Sequence, residues 1–503
     1  MKESKQKKEP PTVAISRNLA ENKKQIERIF NNCKDLTLLE WRYGPDMMHT
    51  AFSVYYDTLV QKKTVTYMKE SLQDLVPYEV GPAATISPED VMGFFGRQGV
   101  SAQSHHLVEN LDQVVRDVSE GYVVIFFNHW NKALGYAASG LETRQVTEPV
   151  IEPLVHGPRE GAVENLEKNI GMLRLRLKSP DFKIEYHTAG GKTNTKLAFG
   201  YLEGAVNPET LEEFKQRINR INKEEILETA YIEELIEDET YSPFPQVRYT
   251  ERTDIAVANL LDGKIVLLVS GTPMMMICPV QFTDLFVTSE DYYQRAIIST
   301  LIRQLRIAAF FIALTLPSIY IALSTFHPEL IPDVLLLAIL DTREGIPFPA
   351  FVEALMMEFF FELLREAGVR LPRPVGSAVS IVGALVIGEA AINAGIASPI
   401  MVVVVALTGI ASFAIPQYNI AISLRILRWP LMVLAASLGG FGIMIGFIWI
   451  LLHMTSLRSF GQPYLAPIAP LRLRQLRDIF IRAPLKILLR SPRNRHFHKL
   501  PKG

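Results

Sequence analysis

Cysteine is almost missing from this chain: Cys33 and Cys278 are the two in 503 residues. They fit no metal-ligand spacing and cannot build a disulfide framework, so the N-terminal region reads as belonging to a reducing compartment. A charge of one sign is also missing. The net charge is −1 and 48% of residues are hydrophobic, and nucleic acid is not an expected partner. The first 35 residues are rich in Lys, Glu and Asn (KESKQKKEPP, ENKKQ) and hold no apolar h-region, so no secretory signal peptide is expected and 1–35 reads as a disordered charged tail.

Catalytic signals are scarce too. AGGKT (Ala189–Thr193) resembles a phosphate loop, but Tyr186 stands where that pattern needs glycine and a strand follows where it needs a helix, so a hairpin turn is expected. His49 and the His105–His106 pair have no partners at ligand spacing, and His496 and His498 lie in a basic tail. Met274–Met276 reads as hairpin core. No nucleophile–base pairing stands out, so neither an enzyme nor a metal or cofactor is expected.

What the chain does have is a strongly apolar second half. Residues 1–300 are ordinary in polarity, whereas 307–454 are rich in runs long enough to span a bilayer. Ile307–Phe326 is uncharged with Pro317 as a kink candidate; Ile400–Pro416 and Pro430–Leu452 are uncharged, and the LGGFGIMIG core of the latter offers small residues for close helix contact. Ser377–Ile396 reads as a span interrupted by Glu389 and Asn393. Between these lies DTREGIPFPAFVEALMMEFFFELLREAG, where EGIPFP, with Pro347 and Pro349, breaks any helix. Beyond it Glu358, Glu362 and Glu366 recur every fourth residue with Glu353 near the same face, opposite Leu355, Met356, Phe359, Phe360 and Leu363. That helix either lies in the membrane interface or lines a wet cavity. Basic residues at the span ends (Arg303, Arg306 and the tail after Met454) put both termini of the membrane region in the cytoplasm, although Arg365, Arg370 and Arg373, and Arg425 and Arg428, point to an odd count; an even number of crossings is the expectation.

The first half looks duplicated. AFSVYYDTLVQKKTV (Ala51–Val65) matches LAFGYLEGAVNPETL (Leu197–Leu211) at an offset of 146, and VVRDVSEGYVVIFFNH (Val114–His129) matches AVANLLDGKIVLLVSG (Ala256–Gly271) at 142, with Gly121 over Gly263. FKIEYHT and KLAFGYL flank the AGGKTN turn as strands, and PETLEEFKQRINRI spaces Leu211, Phe214, Ile218 and Ile221 as a helix. The expected fold class is an α+β cytoplasmic region of two related subdomains, 36–160 and 161–295, followed by an α-helical multi-pass membrane domain at 300–455 and a basic cytoplasmic tail at 456–503.

Long strings in this order resemble one family. HGPREGAVENLEKNIGMLRLRLKSPD (156–181), YIEELIED (231–238), YSPFPQVRYTERTD (241–254), REGIPFPAFVEALMMEFFFELLREAGVRLPRP, SIVGALVIGEAAINAGIASP and SLRSFGQPYLAPIAPLR are similar to the A subunit of GerA-type spore germinant receptors, from about residue 40 onward. Departures are the Asn128–His129 turn, where the family often has Asp–Gly, and Glu389, whose position is often neutral or differently polar in relatives. The resemblance implies a receptor component in the spore inner membrane, with a transporter-like B subunit and a lipoprotein C subunit as partners, membrane lipids around it, homo-oligomerisation and ion release. The leading expectation is a ligand-gated cation channel in which Glu353, Glu358 and Glu362 form acidic rings and Glu389 and Asn393 mark polar depth in a span. The alternatives are a non-conducting scaffold that docks partner subunits and, less well supported for want of an inverted repeat, a secondary transporter.

Overall fold

The computed structural model describes residues 13–43, 49–70, 93, 104–140, 149, 152–154, 156–371, 383, 386–472, 478–484 and 486. Residues 377–382, 384 and 385 of the expected span 377–396, along with Arg373, Arg474, Arg477, Arg490, His496 and His498, lie outside them. Two compact units divide the chain: one runs to Ile236 and adds Tyr249–Pro279, the other joins Glu237–Arg248 to Val280 onward.

The first unit holds two five-stranded sheets. One contains β1 (Leu36–Tyr43), β2 (His49–Tyr56), β3 (His105–Val108), β4 (Tyr122–Phe127) and β5 (Ala133–Ala137), with α1 (Leu19–Ile29), α2 (Lys62–Glu70) and α3 (Leu111–Ser119). The other contains β6 (Phe182–Ala189), β7 (Thr195–Leu202), β8 (Arg248–Thr250), β9 (Ile265–Val269) and β10 (Met275–Cys278), with α4 (Leu166–Arg176), α5 (Pro208–Arg220), α6 (Thr229–Ile236) and α7 (Thr253–Leu261). Their strand orders are β1-β2-β4-β5-β3 and β6-β7-β9-β10-β8, the same order copy by copy. Register repeats as well. Ala51 pairs with Phe127 in the first sheet; adding 146 and 142 gives Leu197 and Val269, which pair in the second.

Local chemistry explains the matching turns. Gly121 and Gly263 close the helices before β4 and β9 at φ +86° and +82°, a conformation with little cost only for glycine. After β4 and β9 the chain turns left-handed again, at His129 (φ +68°) and Gly271 (φ +96°), so the Asn128–His129 departure keeps the turn at some strain. Glycines 190 and 191 form the β6–β7 hairpin turn expected from AGGKT, whose Lys192 and Thr193 amides donate to the Glu225 carboxylate at 2.9 and 3.0 Å. In α5, Asn207 caps the N-terminus, Pro208 occupies the first turn, and Phe214 and Ile218 are buried.

The stretch 1–35 is not a disordered tail over its described part. Within its Lys/Glu-rich sequence, Leu19, Ile26, Ile29 and Phe30 recur at helical spacing, and Ile26, Phe30 and Cys33 bury against Phe52, Val54, Val118 and Phe126. The other face of β4, with Val123, Ile125 and Phe127, packs against Trp41, Tyr43 and Trp130. A buried ion pair joins the two copies. Arg174 of α4 grips Asp35 through Nε and Nη2, both at 2.8 Å, and donates Nη1 to the Phe182 carbonyl at 2.7 Å. Its guanidinium lies 4.1 Å from the Tyr56 ring centre and 4.7 Å from that of Phe182. Burial alone would lower its pKa, but the Asp35 charge holds it above the usual arginine value.

The second unit is helical: α8 (Ala296–Thr325), α9 (Asp333–Arg343), α10 (Ala350–Arg370), a helical stretch at 386–393, α11 (Pro399–Phe413) and α12 (Tyr418–Ser456). Among the described residues, α8 and α12 are long and apolar enough to cross a membrane. The stretch 430–452, expected to be one span, is not one straight helix. At Gly439 (φ 62°, ψ −140°) α12 folds back on itself. A Cβ at Gly442 would sit 2.0 Å from the Leu434 carbonyl oxygen, and one at Gly446 would sit 2.5 Å from Leu431. In a straight helix residues 431 and 446 would be about 22 Å apart. The small residues therefore serve contact inside a hairpin. Apolar side chains such as Leu301, Leu305, Phe441, Ile448 and Leu452 are more than half exposed on this unit.

The described part of the expected basic tail after α12 packs within the second unit. Phe460, Tyr464 and Leu465 are buried, and Ser459 Oγ donates to the Gln246 carbonyl at 2.8 Å. Arg303 donates Nη1 to the Asp478 carbonyl, and the Arg482 amide donates to Thr300 Oγ1 at 3.2 Å. The start of α8 and the segment after α12 thus lie together.

Candidate functional site

In a soluble amphipathic helix the carboxylates face water; in α10 the first two, Glu353 and Glu358, face inward. Glu353 is fully buried and Glu358 6% exposed, whereas Phe359 and Leu363 on the opposite face are more than half exposed. The cause is a facing set of arginines. The first arm of α12 runs antiparallel to α10 and carries Arg425 and Arg428, which meet glutamates spaced four apart.

Glu358 Oε2 accepts from Arg428 Nη1 at 2.6 Å, with both side chains nearly inaccessible. One turn on, Glu362 Oε1 accepts from Arg425 and, at 3.1 Å, from Arg365. Toward the other end, Glu353 Oε1 lies 3.1 Å from Arg343 Nη2 while Oε2 accepts the Ser398 amide at 2.9 Å. Ser398 in turn caps α11 by accepting the Met401 amide, so Glu353 sits at a helix N-terminus whose dipole favours an anion. Placing such charges away from water is costly unless each is paired and hydrogen-bonded.

Pro317 enters this arrangement through the backbone. It has no N–H, so the Ala313 carbonyl four residues earlier in α8 loses its helical donor. Arg428 Nε supplies the replacement, at 2.8 Å. One guanidinium therefore ties together α8 at its proline, α10 at Glu358 and α12. Glu358 Oε1 and Arg428 Nη2 have no hydrogen-bond partner among the described residues, which leaves this cluster with unused polar capacity at its centre.

The other sequence candidates fall elsewhere. Pro347 lies in the 344–349 connection and Pro349 is the residue before α10, so both shape the entry to the acidic helix. Glu389 and Asn393 lie in the 386–393 helical stretch, both exposed, and do not join the ladder. Sequence reasoning missed Arg428, Arg425, Arg343 and Ser398 as partners. It took Arg425 and Arg428 for loop cues to topology, yet both lie inside α12 facing acids. Their three-residue spacing opposite a four-residue glutamate repeat is the signal that identifies them. Among the described residues no group of three or more His, Cys, Asp or Glu is placed to hold a metal ion.

Comparison with known proteins gives these residues a family. The model of the Bacillus/Clostridium GerA spore germination protein family matches residues 24–494. The chain is 42% identical over 481 residues to the uncharacterized membrane protein YfkQ of Bacillus subtilis, covering 95% of this chain and 91% of that one. It is also 42% identical over 484 residues to spore germination protein KA of Bacillus subtilis, covering 95% and 87%. With spore germination protein GerLA of Bacillus cereus it shares 40% over 379 residues, 75% and 77% of the two chains. A crystal structure of the N-terminal domain of the A subunit of the Bacillus megaterium spore germinant receptor GerK3 aligns with 54% of this chain and 99% of its own, at 23% identity and a TM-score of 0.42. The chain belongs to the GerA family of spore germination proteins.

Proposed function

We propose that this protein is the A subunit of a nutrient germinant receptor and that, as a homo-oligomer in the spore inner membrane, it conducts cations when a germinant is sensed. Family membership supports the role in germination. Partner B and C subunits would take the nutrient and complete the receptor. The apolar belt of the helical unit favours a multi-pass arrangement, and the meeting of Arg303 with Asp478 favours an even number of crossings with both ends cytoplasmic.

The observation that carries conduction is the exposure of Glu389 and Asn393 in a largely apolar unit. A carboxylate facing lipid is expensive, whereas one facing the axis of a ring of copies attracts cations. The α10 glutamates act differently in this reading: bound to arginines of their own chain, they hold α10 against α12 and the Pro317 turn of α8 as a gate element. In spores carrying Glu389→Gln at normal receptor level, cation release after nutrient addition should slow several-fold, and flux through the purified protein in liposomes should fall in parallel. Unchanged rates in both assays would remove Glu389 from the conduction path.

The pairing of Glu353, Glu358 and Glu362 within one chain favours a second reading, a non-conducting scaffold that docks partner subunits through its N-terminal unit. Liposomes separate the two: a scaffold passes no ions alone or with its partners.

A further inference from the structure

Apart from the charged ladder, the helical unit encloses a cavity of about 330 Å³. Seven of its lining residues are phenylalanine, among them Phe282, Phe286, Phe310 and Phe447, with Ile450 and Met454 beside them. Two polar side chains reach it, Thr283 and Arg303. Arg303 is 2% exposed; Asp291 takes its Nε at 2.9 Å and Asp478 its Nη1, but Nη2 has no hydrogen-bond partner among the described residues.

We propose that this cavity holds one acyl chain whose carbonyl or carboxyl oxygen accepts from Arg303 Nη2. Three observations lead there. Water needs two to four polar partners to occupy a cavity, and a wall of phenylalanines offers almost none, so the occupant is apolar. The mouth lies on the outward apolar surface, since the lining residues Phe311, Leu451 and Phe480 are 50%, 51% and 39% exposed. Finally, the polar and apolar ends are ordered as in a lipid leaflet. Arg303 stands near the start of α8, and Phe310 and Leu314 follow about 10 and 16 Å deeper along its axis. An acyl chain entering from the leaflet on that side meets the guanidinium at carbonyl depth and the phenyl rings below it.

The inference rests on the helical unit lying in a bilayer, not on ion conduction. Full-length protein in phosphatidylglycerol nanodiscs is photolysed with a phosphatidylglycerol bearing a diazirine midway along one chain or, separately, with a free fatty acid bearing the same group. Labelled peptides are mapped by mass spectrometry. Label should concentrate on 307–314 and 447–454, several-fold above the outward face around Phe441. Ile450→Trp, which fills the cavity, should remove the first and keep the second. Excess unlabelled acyl chain should do the same to the unmodified protein, which covers a variant that fails to fold. Labelling by the phospholipid identifies a membrane lipid as the occupant, and labelling by the fatty acid alone identifies a free acid. Equal labelling of cavity and outward face, undiminished by competitor and variant, overturns the site. Absence of label at Phe441 as well would overturn the bilayer reading and the site with it.

Discussion

Asp35→Asn tests how the two copies of the N-terminal unit are joined. The substitution keeps the size of the side chain and removes its charge. Asp35 is fully buried and Arg174 2% exposed, so no water is at hand to replace the lost carboxylate. Breaking a buried pair from one side costs about 3–5 kcal/mol, because the remaining charge is stranded. Two features pull the value to the lower end. Asparagine still offers one acceptor oxygen, and the Tyr56 and Phe182 rings stabilise the cation by about 0.5–2 kcal/mol each. About 3 kcal/mol, or roughly a hundredfold, is expected. Hydrogen exchange on the full-length protein in detergent reads this locally. Protection of β6 amides, and of the Lys34 amide that donates to the Ile184 carbonyl at 3.0 Å, should fall by that factor. Replacing both partners, Asp35→Leu with Arg174→Met, should recover most of it, since no charge is left behind. A loss under about tenfold for Asp35→Asn, or a double variant worse than the single one, would refute the reasoning.

Other expectations concern both units. Glu358→Gln and Arg428→Lys should each lower the melting temperature of the detergent-solubilised protein and combine less than additively, by about 1–3 kcal/mol of coupling; strict additivity would mean the pair does not act as a unit. Gly439→Ala puts a Cβ 2.9 Å from Phe326 Cβ in a backbone conformation reserved for glycine, so a cost of about 2 kcal/mol or more is expected in tryptophan-fluorescence melting, and an unchanged midpoint would argue against the hairpin. Glu233 is pushed above the ordinary 4.5 by burial, although the Tyr249 hydroxyl donates to it at 2.6 Å and opposes the rise. Its folded form favours the proton, so the stability it contributes is complete below pH 4.5 and is lost as pH rises through the raised value. The stability of Glu233→Gln in urea unfolding should therefore gain on that of the parent protein from pH 4.5 upward; a difference that stays constant or moves in the parent's favour would contradict this.

The sequence carried local signals well and long-range pairing poorly. Offsets of 146 and 142 between repeated strings were enough to mark the duplication, and the paired strands of the two sheets keep those offsets in register, because register is fixed by alternation and turn length, both local properties. The EGIPFP break between α9 and α10 was legible for the same reason. Arg428 was not. Its partners, Glu358 and the carbonyl freed by Pro317, lie 70 and 115 residues away, so its spacing from Arg425 gains meaning only when two distant segments are set side by side. Composition misled at the start of the chain, where lysines and glutamates outnumber the few apolar residues that seat α1. Uncharged length misled at 430–452, since hydropathy records that a segment suits lipid and says nothing about where it reverses.

That reversal bears on how the protein is made. In the proposed bilayer placement the hairpin of α12 begins and ends on one side, and the turn between its arms is little more than Leu438, Gly439 and Gly440. No hydrophilic loop would then have to be carried through the bilayer for the pair to insert; the tip meets the Phe326–His327 corner, where the Gly440 amide donates to His327 Nε2 at 3.2 Å. A ribosome-bound chain can hand such an element to the membrane as one closed clip, once α8 has supplied the corner that receives it.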